Sequence, residues 1–238
     1  PPASKTTVHE QEAILLTYKV YTVVNLRQLY GKMPDLKGFH TQEVELPQQK
    51  TFTLEHYKGR NYNTTVWSQY VLFPQQTGKL EIPSITFDGV VAQQTVSDDP
   101  FDAFFNGGGY VEVKKKITTP KVVINVQPLP AKPAGFSGAV GEFKLASSIN
   151  ATDVKTNDAV TIKLTLSGTG NMKLIGTPEV KFPQDFEIYD PKVTDDYKLT
   201  NSGLTGTKTF EYLAIPRHAG NFTIPAVEFT YFDRKSNS

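Results

Sequence analysis

Residues 70–87 read YVLFPQQTGKLEIPSITF, and residues 212–229 read YLAIPRHAGNFTIPAVEF. Six positions hold the same residue type in both stretches, always 142 positions apart. From average residue usage, the two Pro matches and the Gly match alone would coincide in about one register in 6,000. The stretches therefore record an internal duplication, whose matched residues are Tyr70, Pro74, Gly78, Ile82, Pro83 and Phe87 in the first copy and Tyr212, Pro216, Gly220, Ile224, Pro225 and Phe229 in the second.

Matches upstream of these stretches extend the duplication with slightly different offsets. Such a drift is expected when two copies of one fold differ by a few loop deletions. The pairs are Val8 and Val154, Glu12 and Asp158, Ala13 and Ala159, and Asn25 and Asn171 at an offset of 146, and Pro34 and Pro178 at 144. We therefore predict two homologous domains.

Each copy has the side-chain alternation of β-strands. In the second copy, apolar residues at positions 160, 162, 164 and 166 alternate with polar ones, the period-2 pattern of a half-buried strand. The first copy shows the same phase over positions 14–24, with a more apolar opposite face. Many short strands in copies of about 100 residues predict an all-β protein of two tandem immunoglobulin-like β-sandwich domains.

The duplicated stretch itself predicts a strand, a turn and a second strand in both copies. Its Pro-x-x-x-Gly segment supplies a fixed φ followed by a permissive glycine. The apolar phase slips at Ile82-Pro83 and at Ile224-Pro225. Because proline cannot donate to a strand ladder, this point predicts a bulge, an edge, or a strand that passes between sheets.

A proline-rich stretch, VQPLPAKPAGFSG at 126–138, separates the copies. Pro128, Pro130 and Pro133 favour extended backbone and a stiff linker. We place the first domain at 1–132, with an insertion at about 88–119, and the second at 133–238. The first copy starts too late for its whole first strand, and the second lacks a counterpart of 122–126, so we expect a domain truncated at its N-terminus and one truncated at its C-terminus.

Composition excludes several classes of function. The 238-residue chain carries a formal charge of +1, which gives no electrostatic basis for binding nucleic acid. No apolar run approaches the roughly 20 residues that span a bilayer, so any membrane attachment would need a segment outside this sequence. There is no cysteine, which excludes thiol catalysis, cysteine zinc sites and disulfides.

No motif predicts catalysis. His9, His40, His56 and His218 are scattered without metal-ligand spacing. Gly168-Thr169-Gly170 lacks the third glycine of a dinucleotide loop, and we interpret it as a β-turn. We therefore predict no catalytic, cofactor-binding or metal-ligating residues, and a protein that is not an enzyme.

The insertion holds the most informative feature outside the duplication. Asp99 and Pro100 suit the start of a short helix, which would bring Phe101, Phe104 and Phe105 onto one face. This face is either a small core that caps the first sandwich or a contact for a partner protein.

Three smaller features have structural interpretations. The lysines at 114–116 suggest a solvated strand edge, and Trp67 suggests core or cross-strand packing. The polar residues 61–65 beside several tyrosines are a weak indication of sugar stacking.

Several long stretches resemble the BatD family of bacteria, also called the oxygen-tolerance or aerotolerance family, and especially its Bacteroidetes members. In the second copy they are KPAGFSGAVGEF (132–143), LSGTGNMKLI (166–175), FPQDFEIYDPKV (182–193) and FEYLAIPRHAGNFTIPAVEFTYFD (210–233). The first copy adds SKTTVHEQEAILLTYKVYT (4–22), VLFPQQTGKLEIP (71–83) and DPFDAFF (99–105).

The resemblance implies a fragment of a periplasmic region that is anchored to the bacterial inner membrane outside this chain. It implies as partners other Bat proteins, which carry von Willebrand factor A-like or tetratricopeptide modules, and a MoxR-type ATPase. It implies a role in tolerance of oxygen or oxidative stress, but no catalytic residues and no cofactor. The leading hypothesis is thus a non-enzymatic adaptor, and the alternative is a glycan-binding or adhesin-type sandwich, which predicts tyrosines clustered on one exposed face.

Overall fold

The structure, a computed structural model, describes residues 3–94, 110–130 and 132–238. These residues form β-strands and connecting loops, and their one helical segment is a single 3-10 turn, Met172–Leu174. This confirms the all-β prediction. No helix in the described part of the chain is long and apolar enough to cross a bilayer.

The first half forms three sheets. One has the order β1-β10-β7, one has the order β2-β6-β4 with β5 also paired to β6, and one has the order β3-β8-β9. The strands are β1 (Thr7–His9), β2 (Ile14–Thr22), β3 (Asn25–Tyr30), β4 (Phe39–Glu43), β5 (Thr53–Tyr57), β6 (Arg60–Pro74), β7 (Gly78–Ile82), β8 (Thr86–Gln94), β9 (Tyr110–Thr118) and β10 (Val122–Gln127).

The core of the first half lies between the sheet of β2, β6 and β4 and the two three-stranded sheets. Leu16 and Leu72 project into it from one side, and Ile82 and Ile124 from the other. The alternation predicted for β2 is confirmed, since Ile14, Leu16 and Tyr18 are buried. Trp67 packs edge-on against Phe87 with ring centroids 4.6 Å apart, as its core interpretation predicted.

The second half forms one six-stranded sheet of order β13-β15-β12-β11-β16, with β14 also paired to β15. Its inner face carries Leu164, Leu166 and Phe210, which are fully buried. Segments without strands, which include Ile175, Val180 and Phe229, cover that face. The strands are β11 (Ala139–Ile149), β12 (Val160–Gly170), β13 (Phe186–Ile188), β14 (Lys192–Thr200), β15 (Gly203–Pro216) and β16 (Tyr231–Asp233).

The duplication is visible in the strand register. Leu16 lies opposite Tyr70 in the first half, and their counterparts Ile162 and Tyr212 lie opposite each other in the second. An isolated bridge pairs Ala3 with Leu16, as Ile149 pairs with Ile162. Because a one-residue slip would turn every side chain to the other face, the shared register shows that both halves bury equivalent positions.

The duplicated stretch differs between the halves after its turn. In the first half it forms β6, a turn at 75–77 and β7, as predicted. In the second half β15 ends at Pro216, and residues 217–230 form no strand, so the prediction of a second strand there is wrong. The reason is a missing neighbour: β7 is held by β10, and no strand in the described residues pairs with 220–224.

The phase slip at Ile82-Pro83 marks a passage between sheets, one of the three predicted outcomes. β7 belongs to the sheet of β1 and β10, whereas β8, which begins at Thr86, belongs to the sheet of β3 and β9. Strand β9, which contains the lysines at 114–116, is an exposed edge strand of that second sheet, as predicted.

Gly168 and Gly170 do not form the predicted β-turn. Both lie inside β12, where Gly168 is opposite Phe143 on one side and Gly206 on the other. Gly168 has a φ of +151°, and a Cβ there would lie 2.0 Å from the carbonyl oxygen of Glu142. Glycine is therefore required by the close approach of neighbouring strands.

The two halves share a small core, which we call the joint. Val71 and Phe73, on the outer face of β6, pack against Leu174 and Leu199 of the second half. Val71 is 0% exposed and Phe73 is 1% exposed. A polar contact flanks the joint, since Asn171 of the second half donates to the Gln11 side chain of the first at 3.4 Å.

Candidate functional site

The predicted phenylalanine face lies outside the described residues. Phe101, Phe104 and Phe105 belong to residues 95–109, so their role in an interface stays a prediction. The described residues that bracket this segment, Gln94 and Tyr110, lie opposite each other at the end of the β8–β9 pair.

The four histidines lie apart, each in its own local contacts. His9 packs against Phe232 in a tilted arrangement with ring centroids 5.0 Å apart, and His218 lies 3.3 Å from a carboxylate oxygen of Asp185. Burial and then the charge of Lys173 lower the pKa of His40. Within residues 3–94, 110–130 and 132–238, no group of three or more histidines or acidic residues is placed to hold a metal ion.

The titration of the buried tyrosines indicates a structural role for them. Burial raises the pKa of Tyr18 and of Tyr212 to about 12. The phenol of Tyr212 donates to the carbonyl of Pro178. Both phenols therefore stay protonated at neutral pH.

An exposed aromatic cluster lies on β2, β5 and β6, and we call it the tyrosine surface. In antiparallel strands directly opposite residues share a face, and here Tyr57 is opposite Arg60 and Tyr62 is opposite Glu55. The surface consists of Lys19, Tyr21, Glu55, Tyr57, Arg60 and Tyr62.

A tight turn builds this surface. Lys58 and Gly59 connect β5 to β6 with φ values of +49° and +78°. Two consecutive positive φ values characterise the type I′ turn, whose twist matches that of the flanking strands. The turn holds Tyr57 and Arg60 side by side at the end of the hairpin.

The rings of the tyrosine surface are close together and partly open to solvent. The centroid of Tyr21 lies 5.2 Å from that of Tyr57 and 6.0 Å from that of Tyr62. Tyr21 is 41% exposed and Tyr57 is 47% exposed. These distances are in the range of favourable aromatic pairs, so the rings support one another without being buried.

Cations lie over these rings. Lys19 Nζ is 5.6 Å from the Tyr21 centroid, and the Arg60 guanidinium is 5.9 Å from the Tyr62 centroid. Lys19 also pairs with Glu55, and the hydrogen bond from Lys19 lowers the pKa of that carboxyl. The surface thus presents tyrosine rings and an arginine, two residue types that are enriched in protein interfaces.

Local sequence contains only a weak signal of this surface. Residues 61–65 and the nearby tyrosines weakly indicate sugar stacking, but Tyr21 is 36 positions from Tyr57. The pairing of β2 with β6 brings them together. The dipeptide Lys58-Gly59, which lacks the asparagine or aspartate typical of this turn, was the local signal available for the hairpin.

Comparison with known proteins gives one family. A family model described as the BatD DUF11-like domain matches residues 2–126 and 147–238. The two matched segments correspond to the two copies of the duplication, and together they cover most of the chain. No curated protein matches the sequence significantly.

Proposed function

The chain belongs to the BatD family, and from this we propose that it is a non-enzymatic adaptor region that docks partner proteins on the tyrosine surface. The tyrosine surface is the observation that carries this proposal. It combines tightly grouped rings, cations and solvent exposure at the end of a hairpin. Tyrosine and arginine are enriched among the residues that dominate binding energy in protein interfaces, and tyrosine buries a large area at a low entropic cost.

The proposal includes the cellular setting that the family resemblance implies. The region would lie on the periplasmic side of the inner membrane and would be anchored by a segment outside these residues. Its partners would be other Bat proteins with von Willebrand factor A-like or tetratricopeptide modules. Its contribution to tolerance of oxygen or oxidative stress would come through these contacts and not through chemistry of its own.

A rigid adaptor presents its surfaces in a fixed arrangement, and the joint supports this part of the proposal. The tyrosine surface and the joint lie on the same side of β2. Leu15, Lys19 and Tyr21 are an even number of positions apart, so their side chains share one face of the strand. The second half is packed at one end of that face, and the tyrosine surface remains accessible at the other.

Affinity capture tests the adaptor function. Tagged protein is recovered from the membranes of its own host, unaltered or with Tyr21→Ser and Tyr57→Ser. We expect the unaltered protein to retain a von Willebrand A-like or tetratricopeptide Bat protein, and the double variant to retain at least 10-fold less, because truncating a hot-spot aromatic costs about 2 kcal/mol or more.

The matched control changes two exposed tyrosines elsewhere, Tyr30→Ser and Tyr189→Ser. Equal loss in the control and in the tyrosine-surface variant would show a general effect of removing tyrosines. A third variant, with serine at Phe101, Phe104 and Phe105, tests the predicted phenylalanine face in the same experiment. Capture that survives in the tyrosine-surface variant but fails in the phenylalanine variant would move the docking site to the insertion.

Glycan binding is the second candidate function, and the clustering of Tyr21, Tyr57 and Tyr62 on one exposed face favours it. Flat exposed rings beside polar groups are suited to stacking on sugars. Calorimetry against a broad panel of saccharides separates the two functions. Saccharide binding that disappears with Tyr21→Ser and Tyr57→Ser would favour the glycan function, and silence across the panel would count against it.

A further inference from the structure

His40 is a half-buried histidine at the edge of the joint. On β4 it stands directly opposite Phe73, so the two side chains share the face of the sheet that packs against the second half. The ring centroids of His40 and Phe73 are 6.2 Å apart. Gln42, two positions further along β4, is opposite Val71 in the same way. Strand β4 therefore adds one titratable group to a contact whose core is apolar.

A neighbouring amide requires the neutral form of the His40 ring. Gln42 Nε2 lies 3.2 Å from His40 Nε2. An amide nitrogen donates hydrogen bonds and does not accept them, so the ring nitrogen that faces it carries no proton. Protonation would set two donors against each other and break this bond. The contacts of His40 thus fit an imidazole and not an imidazolium.

Lys173 brings a positive charge to the same place from the second half. It belongs to the single 3-10 turn, and the next residue, Leu174, packs in the joint. The turn is held in position by Lys208, whose Nζ donates to the carbonyls of Met172 and Ile175 at 3.3 Å and 3.1 Å. The charge of Lys173 is therefore carried by a fixed part of the contact between the halves.

These surroundings act together on the titration of His40. Burial is the larger cause that lowers its pKa, and the charge of Lys173 is the second. Of the elements packed against the ring, β4 offers the uncharged Gln42, β6 offers the ring of Phe73, and the 3-10 turn offers the charged group. The described part of the chain brings no carboxylate whose charge raises the pKa of His40 again.

We propose that the joint is a pH-sensitive hinge, which opens when His40 is protonated. Opening moves the charged ring away from Lys173 and lets water solvate it, whereas the closed joint keeps it against the ring of Phe73. The hinge changes how the tyrosine surface is oriented relative to the second half. It is a property of the contact between the halves, so it goes beyond the proposed function.

The pH range of the hinge follows from the direction of the pKa change. Because the pKa of His40 is lowered in the closed joint, the open form binds the proton first. Above about pH 6.5, the ordinary pKa of histidine, the ring is neutral in both forms and the joint keeps its full strength. As the pH falls below that value, the open form is increasingly favoured.

A distance between the halves measures the opening directly. The chain has no cysteine, so two introduced cysteines can carry spin labels. Val123→Cys and Ile188→Cys lie at exposed sites, one in each half. By pulsed electron paramagnetic resonance, we expect the ratio of open to closed distances to rise at least 3-fold from about pH 7.5 to about pH 5.5. Binding of one proton limits the rise to about 10-fold.

Histidine variants assign the response. His40→Gln keeps a polar side chain that does not titrate in this range, and it should abolish the rise. His56→Gln is the matched control, because His56 is exposed and contacts Asn61 of its own hairpin. His9→Gln tests the second histidine that contacts the other half, where a proton on the ring would face the Glu12 carboxylate at 3.7 Å. Both of these variants should keep the rise.

Lysine variants test the second cause without touching β4. Lys173→Gln should reduce the rise but not abolish it, since burial is the larger cause. Lys181→Gln, another exposed lysine of the second half, should leave it unchanged. Because both lysines are exposed, these two variants carry the test if His40→Gln does not fold.

The same distance distribution at both pH values would overturn the proposal, and so would an equal rise in His40→Gln or an equal rise in Lys173→Gln and Lys181→Gln. A rise that disappears in His9→Gln and persists in His40→Gln would assign the switch to the contact with Phe232 instead. None of these measurements needs a partner protein. A failure of the hinge and a failure of the adaptor function are therefore distinguishable.

Discussion

At the scale of single residues, Asn171 shows how a buried polar side chain fixes the second half. It is 0% exposed, and its Oδ1 accepts a hydrogen bond from the amide of Val140 at 2.8 Å. Its Nδ2 donates to the carbonyl of Gly138, also at 2.8 Å. These two bonds connect the start of β11 to the segment that follows β12. Without Asn171, the amide of Val140 and the carbonyl of Gly138 would lose these partners.

We expect Asn171→Ala to lower the free energy of unfolding by about 3 kcal/mol, because buried backbone groups lose their partners. Asn150→Ala is the matched control. Its Oδ1 also accepts a backbone hydrogen bond, from Thr161 at 2.7 Å, but at an exposed site. Water replaces that bond, so the cost should be about 1 kcal/mol or less. Urea unfolding of both variants gives the comparison, and equal losses would contradict the role of burial.

At the scale of elements, three strands of the second half pair through glycines at positions where a Cβ would meet the neighbouring backbone. β12 lies between β11 and β15, and Gly168 stands opposite Phe143 of one and Gly206 of the other. A Cβ on Gly206 would lie 2.3 Å from the carbonyl oxygen of Asp196. The contact is therefore a property of how the strands are packed and not of one turn.

The substitution Gly168→Ala should lower the free energy of unfolding by at least about 3 kcal/mol, through backbone strain and the clash with the carbonyl of Glu142. Gly176→Ala is the control, since a Cβ there meets nothing within 4 Å. The midpoint of urea unfolding checks both variants. A midpoint for Gly168→Ala that matches the control would show that the strands move apart without cost.

Local sequence pattern predicted those elements whose side chains alternate. The burial of Val160, Ile162, Leu164 and Leu166 follows the predicted period of two. It could not predict that Gly168 continues the strand, because glycine in a sequence looks the same in a turn and at a close contact. It also could not show that residues 220–224 lack a partner strand, since pairing depends on a distant segment.

At the scale of the whole molecule, the joint explains a difference between the two copies that local sequence pattern does not explain. The opposite face of the first copy is more apolar than that of the second, and this face is where Val71 and Phe73 meet Leu174 and Leu199. The equivalent face of the second half carries Leu213, which is 36% exposed. The same repeat position is buried in one half and open in the other.

We expect Val71→Ser to loosen the two halves, because it replaces a fully buried apolar side chain of the joint with a polar one. Small-angle scattering should show a larger radius of gyration, and amide exchange near Leu174 and Leu199 should accelerate. Leu213→Ser changes the residue at the equivalent position and should alter neither quantity. Unchanged scattering in Val71→Ser would show that the remaining contacts suffice to hold the joint.

The duplication made the two-copy organisation readable from sequence, since proline and glycine mark the same turns in both halves. The duplication does not predict the tyrosine surface or the joint. Each brings together residues from distant parts of the chain, Tyr21 with Tyr57 in one case and Phe73 with Leu199 in the other. No periodicity in a local window records such a meeting.

The joint also changes what the proline-rich segment has to do. Contacts such as Phe73 with Leu199 and Asn171 with Gln11 already hold the two halves against each other, so the backbone at Ala134 and Gly135, both exposed, is not needed to orient them. Cutting the polypeptide there would give a split protein whose two fragments reassemble from separate chains. The pair could then serve as a complementation reporter, whose signal depends on the joint alone.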